Sequence, residues 1–243
     1  MEPLRTVRVH APAVSELTVF VRSSRCSDDV SSVVARLEDG AWVAEVPTVV
    51  GDQYWIVADA GPPLLDPSCL DMEMTPEGPR SIVRDPWLRR PQGAPLAHDP
   101  VVYELHVRGF GRTYLGCIEH LDHVAGLGVN VIELMPVHPF DSADNYWGYM
   151  PLVWGAVHRP FASEPSRAAE ELGELVAAAH ERGMHVWLDV VFNHTGEGDA
   201  AMPTYCLAGL DDANSYRHQE NGEYTNDSGC GNDINPADVN VRD

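Results

Sequence analysis

One change of hydropathy texture, near residue 100, constrains this chain more than any other feature. Ahead of it, apolar residues recur at every second position. Leu17, Val19 and Val21 interleave with Thr18, Phe20 and Arg22, and Trp42, Ala44, Val46 and Tyr54, Ile56, Ala58 repeat the rule. Short period-two runs with turn signals at Asp39-Gly40 and Gly51-Asp52 predict an antiparallel β-sandwich over residues 1–84. Pro86, Pro91, Gly93, Pro95 and Pro100 then break all periodicity, so 85–98 reads as a linker. Beyond it the pattern is strand–helix–strand. Apolar runs at 101–107, 129–135 and 184–191 predict buried strands. Ile118, Leu121 and Ala125 predict a helix over 117–127. Leu172, Leu175, Val176 and Ala179 predict a longer helix over 166–182, with Ser166 as its N-cap and Gly183 just past its end. Repeated strand–helix units imply a parallel sheet that meets ligands at the C-terminal ends of its strands. Residues 192–243 show no sustained period and read as a long functional loop.

Charge narrows the partners. The formal net charge is −21, and every cation is an arginine because the chain has no lysine. Nucleic acid and anionic membranes both favour basic surfaces, so neither is expected. No stretch approaches the ~20 apolar residues of a membrane span. Residues 1–20 lack the apolar core of about 7–15 residues that marks a secretory leader. Five cysteines, at 26, 69, 117, 206 and 230, have wide spacings and no C-x-x-C pair. That argues against a disulfide framework or zinc ribbon and fits a reducing cytoplasm.

Three groups of residues carry possible chemistry. Asp189, Asn193 and His194 lie at and just past the end of the third strand, where such sheets meet ligands, although a structural Asp with a surface His fits equally well. Asn145-Tyr146-Trp147-Gly148-Tyr149 comes after the second strand. Its aromatic rings suit stacking on a sugar, or alternatively a small apolar cluster under a loop. Glu104 and Glu133 sit mid-strand, where a structural role outweighs acid–base work. No HExxH zinc motif, G-x-S-x-G or phosphate loop is present. The acidic and amide residues Asp211, Asp212, Asn226, Asp227, Asn232 and Asp233 have no EF-hand register and read as a solvated loop.

Taken together, these motifs resemble a known family. Asp189-Val190-Val191-Phe192-Asn193-His194-Thr195 is similar to the first conserved region of glycoside hydrolase family 13, the α-amylase family. Val102-Tyr103-Glu104-Leu105-His106-Val107-Arg108-Gly109-Phe110, Ile132-Glu133-Leu134-Met135-Pro136-Val137 and Asn145–Tyr149 resemble strands one and two of its isoamylase and glycogen-debranching branch. Tyr216-Arg217 and Gly229-Cys230-Gly231-Asn232 resemble that branch's loop after strand three. Trp42, Tyr54-Trp55 and Leu65-Asp66-Pro67 more loosely resemble its starch-binding-like N-terminal sandwich. The resemblance implies a multidomain chain: the sandwich at 1–84, then the first three βα units of a TIM (β/α)₈ barrel at 99–243.

The resemblance also implies roles. His194 would hydrogen-bond a sugar hydroxyl, Tyr149 would stack on the same sugar, and Asp189 would hold the site by pairing with an arginine of the next strand. Asn193 and Trp147 would support it. In many amylases the residue matching Asn193 also ligates calcium, but the debranching branch often does without it, so no cofactor is assigned and calcium is the alternative. The family's catalytic carboxylates lie on strands four, five and seven. Only three strands can be placed here, against about 250 residues for a whole barrel, and no Arg-x-Asp segment of strand-four type comes after them. The expectation is the N-terminal part of a retaining debranching hydrolase acting on glycogen, amylopectin or limit dextrin. By itself this chain is expected to be inactive. A non-catalytic glucan-binding protein, motivated by Trp42 and Trp55, is an alternative. So is the start of a malto-oligosyltrehalose trehalohydrolase or branching enzyme.

Overall fold

The computed structural model describes residues 3–86, 95–96, 98–143, 145–238 and 241. The linker expected at 85–98 lies largely outside the described residues. The chain divides into two compact units. The first gathers the segment up to Asp85, Met150–Gly155 and everything from Phe192 onward; the second holds Pro86–Tyr149 and Ala156–Val191.

The first unit contains β1 (Leu4–Val9), β2 (Leu17–Arg22), β3 (Val30–Val34), β4 (Arg36–Glu38), β5 (Ala41–Pro47), β6 (Gln53–Ala58), β7 (Met72–Thr75) and β8 (Gly78–Ile82). They form two antiparallel sheets, ordered β1-β5-β4 and β3-β2-β6-β8-β7. The period-two pattern is the cause. Leu17, Val19 and Val21 point inward and stand opposite Ala58, Ile56 and Tyr54 of β6. Asp39 and Gly40 both take positive φ, +49° and +80°, which is the geometry of a two-residue hairpin turn between β4 and β5. Asp66, which belongs to the motif Leu65-Asp66-Pro67, is buried. It accepts from the Tyr54 hydroxyl at 2.9 Å and from the backbone N–H and hydroxyl of Ser68. Burial and the adjacent Asp66 push the Tyr54 phenol well above its usual range. The two tryptophans are packed. Trp55 stacks on Phe20 and lies under the Arg80 guanidinium, and Trp42 is half-buried with its indole N–H donated to Ala11 O.

The second unit contains a parallel sheet of β9 (Val102–Leu105), β10 (Val131–Leu134) and β11 (His185–Leu188), ordered β11-β10-β9. Each strand is shorter than its apolar run. Strand β9 stops because His106 caps the next element, α1 (Val107–Phe110), by accepting from Gly109 N at Nδ1. The helix expected over 117–127 is two short ones, α2 (Tyr114–Ile118) and α3 (Leu121–Gly126). Thr113 caps α2 through Gly116 N. A Cβ on Gly116 would overlap Gly111 O, so this junction admits only glycine.

The long helix is α4 (Ala168–Glu181), with Leu172, Leu175 and Ala179 on its buried face. Ser166 does not cap it. A 3₁₀ turn at Pro165–Arg167 intervenes, and the Ser166 hydroxyl donates to Glu164 instead. Glu171 ties down the chain ahead of the helix. It is fully buried and accepts from Ser163 N at 2.7 Å and Glu164 N at 2.8 Å. Gly183 ends the helix as expected, with φ +73° and its N–H on His180 O. Among the described residues no helix is long and apolar enough to cross a membrane.

Glu171→Ala should destabilise the chain by about 2–3 kcal/mol, because it strands the two N–H groups that this carboxylate satisfies. Urea denaturation monitored by circular dichroism measures this. A loss within about 0.5 kcal/mol of zero, the range of an ordinary surface substitution, would contradict this anchoring role.

Candidate functional site

Register decides which side chains share a face. Glu133 of β10 stands opposite Glu104 of β9 and Trp187 of β11. Leu105, Ile132 and Leu134 pack into the helix-side core. The opposite face carries Glu104 and Trp187, both exposed, and half-buried Glu133. Past β11, Asp189 N donates to Leu134 O at 2.8 Å and extends the pairing by one residue. Asp189 is two residues beyond Trp187 and so continues this face.

Tyr149 meets it there. Its hydroxyl donates to Asp189 Oδ2 at 2.7 Å. Burial, then the Asp189 hydrogen bond and charge, with smaller contributions from Glu104 and Glu133, push the phenol far above its usual range. Tyr149 is therefore a neutral donor that orients one carboxylate oxygen. The loop that delivers it is built by Asn145, whose Oδ1 accepts from Trp147 N and Gly148 N, each at 2.9 Å. Gly148 takes φ +89°, and a Cβ there would sit 3.0 Å from Phe140 Cε1 and from Pro136 O. Trp147 is 54% exposed and packs edge-on against Tyr146 and His106. Beneath the loop, His158 stacks on Phe140 with ring centroids 3.9 Å apart, and its Nε2 lies 3.1 Å from Ser142 Oγ. Burial, then His106 and Arg108, lower the His158 imidazole to about 3. Burial likewise holds His106 below its ordinary value.

Asn193 and His194 belong to the first unit. His194 is buried, and its Nδ1 lies 3.0 Å from Asn193 Oδ1. Of the six acidic and amide residues in the aperiodic segment that read as a solvated loop, Asp211, Asn232 and Asp233 are buried, while Asn226 and Asp227 are exposed. Asn232 is fully buried; its Oδ1 accepts from Thr195 N and its Nδ2 donates to Gly198 O. Glu197, also buried, accepts from Tyr205 N, Cys206 N, Ala208 N and the Tyr216 hydroxyl. The segment also forms α5 (Leu207–Ser215), which periodicity did not reveal. The cue was Gly229-Cys230-Gly231-Asn232. Gly231, at φ +100°, passes so close to Gly198 and Asp199 that a Cβ would clash.

Calcium does not fit this cluster. The oxygen of Asn232 is committed to Thr195 N, both oxygens of Asp233 accept from Asp227 N and Ser228 N, and Asn193 Oδ1 contacts His194. A calcium shell requires about six to eight oxygens free to turn toward the ion.

The structure thus brings Tyr149 and Asp189 into direct contact, with Trp147 on the same loop. The Asp189 partner seen here is a tyrosine hydroxyl, where the resemblance implied an arginine of a following strand. Glu197, Thr195, Tyr216 and Asn232 escape sequence reasoning as a network, because side chain-to-backbone bonds leave no hydropathy period.

Two groups can be checked by titration. Below pH 6.5 the unfolded chain protonates His158, while the folded chain refuses that proton until about pH 3. Its contribution to stability is whole above pH 6.5 and is lost as pH falls toward 3. His158→Leu should flatten this part of the acid limb, measured as urea midpoints at several pH values between neutrality and the acid limit; an unaltered limb would contradict the assignment. Asp189→Asn should bring one late-titrating phenol back toward its ordinary range, read by ultraviolet difference absorbance. An unchanged tyrosine titration would mean that Asp189 does not hold the Tyr149 proton.

The family model for the α-amylase catalytic domain matches residues 106–223. Isoamylase SU1 of Zea mays is 38% identical over 160 residues, covering 56% of this chain and 20% of that protein. A glycogen debranching enzyme of Klebsiella pneumoniae is 38% identical over 158 residues, covering 56% of this chain and 24% of its own length. The chain thus spans about a fifth to a quarter of the length of these relatives. Among solved structures, a pullulanase from Anoxybacillus sp. LM18-11 complexed with maltotriose superposes with a TM-score of 0.84 at 22% identity. That match covers 99% of this chain and 40% of the pullulanase, and the shared feature is the fold. The β-sandwich followed by a three-stranded parallel sheet is therefore the start of an amylase-type architecture, and residues 106–223 are similar to the α-amylase catalytic domain, with isoamylases and glycogen debranching enzymes among the proteins the chain resembles.

Proposed function

We propose that this chain supplies part of the substrate site of an α-glucan debranching glycosidase. The full activity in this reading is retaining cleavage of α-1,6 branches in glycogen, amylopectin or limit dextrin, in the cytoplasm. The observation that carries it is the Tyr149–Asp189 hydrogen bond at the C-terminal ends of parallel strands. A neutral phenol and an oriented carboxylate offer a polyol a stacking ring and a hydrogen-bond acceptor together. His194 would donate to or accept from a sugar hydroxyl, and Asn193 and Trp147 would support the site. The relatives' names point the same way, since they are isoamylases and debranching enzymes.

Retaining hydrolysis needs two carboxyl groups about 5–5.5 Å apart, one as nucleophile and one as acid–base. We assign neither role to a residue of this chain, so its own part is to bind and orient. In the same reading, residues 1–84 act as a starch-binding-like sandwich ahead of a partial barrel at 99–243. The alternative of a non-catalytic glucan-binding protein started from Trp42 and Trp55. It is less favoured because Phe20 and Arg80 cover the Trp55 ring.

Calorimetry with maltoheptaose, together with a reducing-sugar assay on pullulan and glycogen, tests the reading. The purified chain should bind maltoheptaose and release no reducing ends. Tyr149→Ala should weaken binding about 10-fold, the loss expected for one stacked ring. Release of reducing ends by the pure chain would overturn the non-catalytic assignment. Binding unaffected by Tyr149→Ala would overturn the site.

A further inference from the structure

The first unit contains a second cluster of chemistry, unrelated to the glucan site. His10 comes directly after β1, Asp211 lies within α5, and Asp238 lies beyond that helix near the end of the chain. One ligand atom from each falls within 4.8 Å of the other two. His10 Nδ1 lies 3.8 Å from Asp211 Oδ2. Asp211 is the unusual member. Its side chain is 1% exposed, and its backbone leaves helical geometry inside α5, with φ −157° and ψ 61°. Oδ1 accepts from Asn214 Nδ2 at 2.8 Å, whereas Oδ2 is buried with no hydrogen-bond donor and points into the cluster. A buried carboxylate oxygen without a donor is costly, and a second carboxylate beside it raises the cost. Burial shifts Asp211 upward; the Asn214 hydrogen bond opposes it, Asp238 adds to it, and His10 lowers it by less.

We propose that His10, Asp211 and Asp238 bind one divalent transition-metal ion of the zinc class, which ties α5 to the end of β1. An imidazole with two carboxylates is a donor set that zinc accepts, while calcium and magnesium favour oxygen-only shells. Two ligands about 2.1 Å from one ion are at most about 4.2 Å apart. The His10–Asp211 spacing already meets that limit, and the widest spacing in the cluster needs a contraction of under about 1 Å. His10 is about one-third exposed and gives the ion its way in. The role is structural: the cation would neutralise two carboxylates that the fold holds side by side.

Cobalt(II) titration of the purified chain tests this, after alkylation of accessible thiols because Cys26 is exposed. One equivalent of cobalt should produce visible ligand-field absorption, and zinc should displace it and raise the melting temperature. His10→Gln and Asp211→Asn should each weaken binding by at least about 10-fold, since even the loss of an outer-shell partner costs that much. His10→Gln alters a partly exposed side chain, so the unfolding transition without metal should persist and keep the comparison valid. Absence of the cobalt bands would overturn the proposal. So would bands of equal affinity in both variants, which would place the ion elsewhere, for example at the His218–Asp212 pair. A rise in melting temperature with calcium but not with zinc would overturn the ion class.

Discussion

Parallel, in-register pairing of β9, β10 and β11 is the constraint on which the candidate site depends. In such a sheet each strand turns alternate side chains to opposite faces, and neighbours keep the same rows. Leu105, Ile132 and Leu134 then have to face the helices, because that is where apolar area leaves water. Glu104, Glu133 and Trp187 are carried to the other face by the same geometry. Asp189 arrives on that face, at the strand ends, simply by being two residues past Trp187.

The loops beyond the strands are held by a different kind of force. They carry few periodic apolar residues, so the burial of apolar surface cannot specify them. Single polar side chains do so by satisfying several backbone groups at once. Asn145 shapes the Tyr149 loop, Glu171 ties the chain ahead of α4, Glu197 organises the approach to α5, and Asn232 joins Thr195 to Gly198. Each pins its stretch of loop, because one amide or carboxylate replaces several waters with fixed partners. Glycines complete the arrangement where backbones meet, at Gly148 and Gly231.

Much of the fold is legible in the sequence where hydropathy has a period. Three of the sandwich strands (β2, β5 and β6), the parallel strands, α4 and its terminal Gly183 can be derived from spacing alone. The motif that starts at Asp189 and the aromatic run at Asn145–Tyr149 supply the two residues that meet in the Tyr149–Asp189 contact. Less legible are the short elements. His106 and Thr113 cut strand and helix with caps that a hydropathy pattern does not register, and a 3₁₀ turn displaces Ser166 from its expected role. Asp211, Asn232 and Asp233 of the aperiodic segment read as solvated, yet all three are buried.

The sequence by itself determined the order of elements and the faces they bury, because both depend on local periodicity and the apolar area it collects. It also determined which residue types stand at the strand ends. Only the tertiary structure decided which of these touch. The partnership of Tyr149 with Asp189 across 40 residues, and the convergence of His10 with Asp211 and Asp238, arise where the chain returns on itself. A hydrogen bond or ion contact depends on distances of a few tenths of an ångström between residues far apart in the chain, and no spacing rule along the sequence encodes those distances.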